Sequence, residues 1–241
     1  MTDAPGITLQ GRFRLGEDPL FEADISLPAR QWTCLLGPSG VGKSTVLRLI
    51  LGLNTGGHFE GQLIAGDGQP LDSRVSYMAQ TDLLLPWLTV RENIVLGARL
   101  RGEAPDMQKA EALLARVGLA AHAGKKPFAL SGGMRQRAAL ARTLMEDRPV
   151  VLLDEPFSAL DAGTRADMQE LAAEVLEGKT VLLVTHDPAE AARLGHRILL
   201  MSRDGAIDWP APAPQPIRAI TDPATLECQA ALLAHLREAA P

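Results

Sequence analysis

The run Gly37-Pro38-Ser39-Gly40-Val41-Gly42-Lys43-Ser44, with Thr45 behind it, has the residue types and spacing of a cradle for phosphates. Glycines let backbone N–H groups turn inward around an anion, and a helix starting at the end of such a loop adds its positive terminus. Lys43 would reach the outer phosphates of a nucleotide, and the Ser44 hydroxyl is an oxygen ligand for Mg²⁺. Further on, Val150-Val151-Leu152-Leu153-Asp154-Glu155-Pro156 carries an apolar run into two carboxylates. Beside a phosphate loop, Asp154 suits Mg²⁺ and Glu155 suits a general base that polarises water. Without the loop they would be two idle acids at a strand end. Between these segments, Ser131-Gly132-Gly133 open a helix, which leaves backbone N–H groups facing an anion. Spacing alone leaves a plain N-cap with a flexible lead-in equally open.

These residues need elements to hold them. Ile7 to Leu36 reads as short strands with turns, and Thr33-Cys34-Leu35-Leu36 is a buried strand running into the glycine loop. Ser44 to Leu51 has helical spacing and stops at Gly52. Gly56 to Tyr77 is strand-like, and Thr89 to about Asp147 is mostly helical, with Met134, Ala138, Ala141 and Met145 as the apolar face of the helix after Gly133. Val150–Leu153 and Thr180–Thr185, separated by a helical stretch, read as adjacent parallel strands of a βαβ unit. Trp209 to Pro216 alternates proline with other residues, which predicts an extended linker, and Thr225 to Ala240 predicts a short amphipathic helix.

Composition narrows the class. At 241 residues, 46% hydrophobic and 22% charged, the chain is an ordinary globular protein with one core or a core plus a small subdomain. The net charge is −5 and Lys and Arg are scattered, so no basic footprint for nucleic acid is expected. No apolar run approaches the roughly 18 residues of a membrane span, and Met1 to Gln10 lacks the features of a secretory signal. The expectation is a cytosolic protein that works at a membrane only by docking onto another. Cys34 and Cys228 are expected to be reduced thiols.

The segments GPSGVGKST, LSGGMRQR (Leu130–Arg137), LLDEP, SALD (Ser158–Asp161) and VTHD (Val184–Asp187) together resemble the ATP-binding subunit of ABC transporters, from about Ile7 to Ile207. The resemblance implies an α/β fold: a RecA-like P-loop core, an antiparallel β subdomain and a helical subdomain at about residues 85–145. The ATPase domain would cover 1–208, with the proline-rich linker and short helix at 209–241. It implies ATP and Mg²⁺ as ligands, held by residues 37–45, with Asp154 and Glu155 as metal ligand and base. Gln80 matches the glutamine that reaches toward Mg²⁺ and the attacking water, and His186 the histidine that contacts the γ-phosphate. Asp161 falls on the loop that links the two active sites of a dimer. Phe13, about two dozen residues before the loop, matches the aromatic that stacks on adenine; core packing of its strand is the other reading. Ser131–Gly133 would serve the ATP of a second, head-to-tail copy.

Partners implied are integral-membrane permease subunits and, through them, an extracytoplasmic substrate-binding protein, which places the chain on the cytoplasmic face of the membrane. Leu84-Leu85-Pro86-Trp87-Leu88-Thr89-Val90 is similar to ATPases of importers for nitrate, sulfonates, taurine and thiamine precursors. An export ATPase, or a soluble ATPase of ribosomes or DNA, is the alternative. Four positions depart from the family pattern: Gln31-Trp32 stand for a Gly-Glu pair, His196 for an aspartate, and Met134 for a glutamine. None removes a phosphate or metal contact. His58, His122, His196 and His235 match no motif and are expected at the surface.

Overall fold

The computed structural model describes residues 4–202 and 205–238. Along them run β1 (Ile7–Leu15), β2 (Asp18–Leu27), β3 (Trp32–Leu36), α1 (Lys43–Ile50), β4 (His58–Ala65) and β5 (Val75–Met78). Four helices follow, α2 (Val90–Ile94), α3 (Leu96–Leu100), α4 (Met107–Arg116) and α5 (Gly132–Met145). The chain continues through β6 (Val150–Asp154), α6 (Ala162–Val175), β7 (Thr180–Val184), α7 (Pro188–Leu194), β8 (Arg197–Ser202), β9 (Gly205–Trp209) and α8 (Pro223–Glu238). Two units emerge. The first holds the residues up to Val75, Pro149–Asp154 and those from Gly178 on; the second holds Ser76–Arg148 and Glu155–Glu177.

In the first unit, Val- and Leu-rich runs make strands that are buried throughout: β3, β6 and β7 have no exposed residue. Runs of this kind belong to parallel sheets covered on both faces. Their order is β6-β7-β3-β8-β9, parallel except for β9. Each fully buried Leu or Val contributes roughly 1.5–3 kcal/mol, so this sheet is the rigid part to which the loops are fixed. Asp154 pairs in register with Val184, and Val184 with Leu35, so the carboxyl ends of β6, β7 and β3 lie level. That edge is where α/β sheets bind ligands. A separate antiparallel sheet, β2-β1-β4, alternates buried and exposed residues as one-sided sheets do. The chain is thus α/β, with a parallel core, an antiparallel sheet and a helical unit.

The second unit contains the helices of residues 85–145 together with α6 and the segment from Glu155. Its α2 begins with a capping box, Thr89 accepting from the Glu92 N–H and Glu92 accepting from the Thr89 N–H, which holds the Glu92 carboxyl below the usual carboxylate range. The buried Asn93 amide accepts from Leu85 N and donates to Leu85 O, Leu88 O and Thr89 O. Arg142 donates to the carbonyls of Asp82 and Leu83. Residues 82–89 are therefore fixed although Leu83 and Trp87 stand 61% and 65% exposed.

Two of the departures from the family pattern are each other's partners. Trp32 N–H donates to Nδ1 of His196 at 3.1 Å, and His196 N–H donates to Trp32 O at 2.9 Å. His196 is half-buried, not a surface residue, and burial with the nearby Arg218 charge lowers its pKa. His122 and His235 are also half-buried, which leaves His58 as the exposed one of the four. Both cysteines are free, Cys34 in the core.

The proline-rich segment is not a loose linker. The guanidinium of Arg218, 4% exposed, donates to the carbonyls of Ala192, Gly195, Pro212 and Pro214. Two of these close the C-terminal end of α7, where a cation is favoured. Beyond it α8 is helical, with Thr225 and Leu232 its buried residues; Ala239 and Ala240, its expected end, lie outside the described residues. Arg218→Ala leaves several buried carbonyls without a donor, so a loss of about 2–4 kcal/mol in denaturant unfolding is expected. A loss below about 0.5 kcal/mol would show that the carbonyls find water instead.

Candidate active site

In the first unit the glycine loop leaves β3 and closes on the start of α1. A Cβ on Gly37 would stand 2.4 Å from the Met201 carbonyl oxygen, and one on Gly42 would stand 2.5 Å from the Phe21 ring. Gly42 also sits at φ +109°, where L side chains are strained. The loop is thus wedged between β8 and Phe21 in a shape only glycine permits. Its remaining residues, Pro38, Ser39, Gly40 and Val41, form the curve, with Ser39 and Gly40 exposed and Val41 buried. Lys43 Nζ donates to Gly37 O at 2.6 Å and to Pro38 O at 2.8 Å, bracing the loop from inside. Thr45 follows in the first turn of α1.

Ser44 Oγ donates to Asp154 Oδ2 at 3.3 Å. Asp154 is 5% exposed at the end of β6. These are two adjacent hard oxygens of the kind Mg²⁺ takes, and Mg²⁺ needs only one or two protein oxygens when phosphates and water supply the rest. Among the described residues no group of three or more His, Cys, Asp or Glu could hold a metal unaided. His186 is exposed in the turn after β7. Thr185 and Asp187 fix that turn: Thr185 Oγ1 donates to Glu190 and accepts from Asp187 N, while Asp187 caps α7.

Phe13 is corrected. It is 1% exposed, and its ring stacks on Phe21 with centroids 5.5 Å apart and an interplanar angle of 14°. The cause is the period of two along β1: Ile7, Leu9 and Phe13 share the inward face, and β1 is the middle strand of its sheet. A ring with both faces packed has none to offer adenine.

In the second unit Gln80 Nε2 donates to Glu155 Oε2 at 3.1 Å, so two candidate catalytic side chains meet. Ser131 caps α5, its Oγ accepting from Met134 N at 3.3 Å, with Ser131 and Gly132 exposed. A Cβ on Gly133 would lie 3.2 Å from Ala159 O, so the helix start is packed on residues 159–160. Asp161 caps α6 by accepting from Thr164 N, and these hydrogen bonds lower its pKa. The buried face of α5 is partly the expected one: Ala138 and Ala141 are buried, Met134 and Met145 are only half-buried, and Gln136, Ala139, Leu140 and Leu144 are buried as well. Gln136 is a functional candidate that the motifs alone do not single out. Its signal is a polar residue in helical register with Leu140 and Thr143.

The ABC transporter family model matches residues 20–158. The chain is 43% identical to an aliphatic sulfonates import ATP-binding protein of Streptomyces avermitilis over 96% of this chain and 91% of the relative. It is 42% identical to a thiamine import ATP-binding protein of Mesorhizobium japonicum over 78% of this chain and 77% of that one. An uncharacterized ABC transporter ATP-binding protein of Haemophilus influenzae is 49% identical over 76% of this chain and 75% of its own length.

The two glycine environments separate by substitution. Gly42→Ala should lower affinity for a fluorescent ATP analogue by at least about tenfold, equivalent to about 1.4 kcal/mol, because Phe21 and the loop must both move. Gly40→Ala, which meets no atom within 4 Å, carries only the cost of a positive φ of 78° and should bind more tightly than Gly42→Ala. Equal affinities for the two variants would show that the packing around Gly42 does not set the loop's shape.

Proposed function

The chain belongs to the ABC transporter family of ATP-binding proteins, and on that basis we propose that it is the hydrolytic subunit of a bacterial importer for a small solute. Two copies pair head to tail, each phosphate loop facing the Ser131–Gly133 helix start of the other. Separate permease subunits pass the resulting closure and opening to the solute, which an extracytoplasmic protein delivers. The solute is selected by those partners, so the sulfonate and thiamine named for the relatives are not assigned to this chain.

Each residue has a defined task. The backbone N–H groups of residues 37–45 and the Lys43 ammonium bind and orient the phosphates of ATP. Ser44 and Asp154 would hold Mg²⁺, which supplies charge neutralisation at the phosphates when bound. Glu155 accepts a proton from the attacking water, Gln80 orients Glu155 and the water, and His186 donates to the outer phosphate. The N–H groups at the start of α5 complete the anion site of the opposite copy. Closure follows ATP because ATP binds the closed pair more tightly than the open one.

The observation that carries the hydrolytic reading is the amide of Gln80 at 3.1 Å from the Glu155 carboxylate, directly after the buried Asp154. The importer reading is supported by the relatives' names and by Leu83 and Trp87, exposed apolar side chains on a segment held rigid by Asn93 and Arg142. Among the described residues no helix is long and apolar enough to cross a membrane.

Glu155→Gln keeps the size and removes the base. ATP affinity should stay within about threefold of the parent while turnover falls by roughly a hundredfold or more, and a nucleotide-bound pair should accumulate on a sizing column. Normal turnover in this variant would refute the base assignment.

A further inference from the structure

We propose that Gln136 is a positioning residue for hydrolysis: its buried amide fixes the backbone turn from which Glu155 presents its carboxylate. The proposal rests on the reading of Glu155 as the base. Glu155 has φ +48°, a left-handed conformation that residues other than glycine avoid. Such a conformation persists only where its surroundings hold it in place. What holds it converges on one carbonyl. Glu155 O accepts from Gln136 Nε2 at 3.0 Å, from Ser158 Oγ at 3.0 Å and from Ser158 N at 3.3 Å.

The same amide closes the other side of the turn. Gln136 Oε1 accepts from Ala159 N at 2.8 Å, and Nε2 also donates to Ser158 Oγ at 3.3 Å. One side chain therefore brackets residues 155–159 from both ends, and at 6% exposed it is shielded from competing water. In such surroundings an amide's hydrogen bonds are stronger and its misplacement is costlier. With the backbone fixed, the Glu155 carboxylate is left to be oriented by Gln80, 3.1 Å away.

Gln136 lies on α5, the helix whose first residues follow the Ser131 cap. A single helix thus carries both the anion-facing end and the clamp on the base. A bystander in the core would need neither a donor to Glu155 O nor an acceptor for Ala159 N; a leucine would fill the space.

Gln136→Glu tests this, because a carboxylate keeps the acceptor for Ala159 N and loses the donor to Glu155 O. The expected result is a kcat lower by roughly tenfold to a hundredfold, as for a small misplacement of a reacting group. The KM for ATP and the affinity for a fluorescent ATP analogue should stay within about twofold, since the phosphate loop is untouched. In a Glu155→Gln background the same substitution should leave the residual turnover unchanged, because the group it positions is gone. A kcat within about twofold of the parent, or an equal loss in both backgrounds, would overturn the proposal. Should Gln136→Glu fail to fold by circular dichroism, Ser158→Ala decides. It removes one of the three donors, and a several-fold fall in kcat confined to the Glu155 background supports the clamp, whereas no fall overturns it. Normal turnover in Glu155→Gln alone would instead strike at the base assignment.

Discussion

Binding a polyphosphate in a protein whose own net charge is −5 requires a local concentration of positive potential, which in the proposed site would come from backbone N–H groups, one lysine and one helix start. Backbone can approach an anion that closely only where no Cβ intervenes. That constraint fixes Gly37 against Met201 and Gly42 against Phe21, and it demands that β3 end at a defined height among its neighbours. The buried strands on either side satisfy the demand: β7 and β8 hold β3 in register, and β6 brings Asp154 to the same edge. The large apolar core thus serves a short loop. Its stability is spent on holding a loop shape that would otherwise relax.

The acidic side of the chemistry is divided at one peptide bond. Asp154 ends a buried strand of the sheet unit, whereas Glu155 begins the turn that belongs with α5 and α6. Each carboxylate answers to different neighbours: Asp154 to Ser44, Glu155 to Gln80 and, through its backbone, to Gln136 and Ser158. In the proposed roles, Asp154 as metal ligand would gain from rigidity and Glu155 as base from its aim, and the two environments supply these separately. At the other end of the sheet unit, Arg218 ties the proline-rich segment to the end of α7, so α8 is an anchored part of the first unit.

The parts legible in the sequence are those whose chemistry needs neighbouring residues. A phosphate loop is one contiguous stretch, and the strand before it and helix after it follow from apolar runs of the right length. Asp154-Glu155 at the end of such a run is equally local. The distance of Phe13 from the loop does not say which face of a strand its ring occupies. The alternation from Ile7 through Leu9 does say so, and it points inward. On α5 the periodicity finds Ala138 and Ala141, which are buried, but it does not reveal Gln136, whose burial follows from its bonds to Glu155 O and Ala159 N. Arg218 was invisible for another reason: four carbonyls from two distant segments meet only after folding. The pairing of Trp32 with His196, two departures in one chain, could be noticed in sequence but joined only in space.

The central claim is that a complete hydrolytic centre takes a phosphate loop from one copy and a Ser131–Gly133 helix start from another. The most direct measurement is ATP turnover in a mixture of two variants, Lys43→Ala and Ser131→Arg. Each alone lacks one half of every site and should be inactive, while a mixed pair regains one intact site and turns over ATP. A mixture as inactive as its components, with mixed pairs demonstrated by differential tagging, would contradict the shared centre.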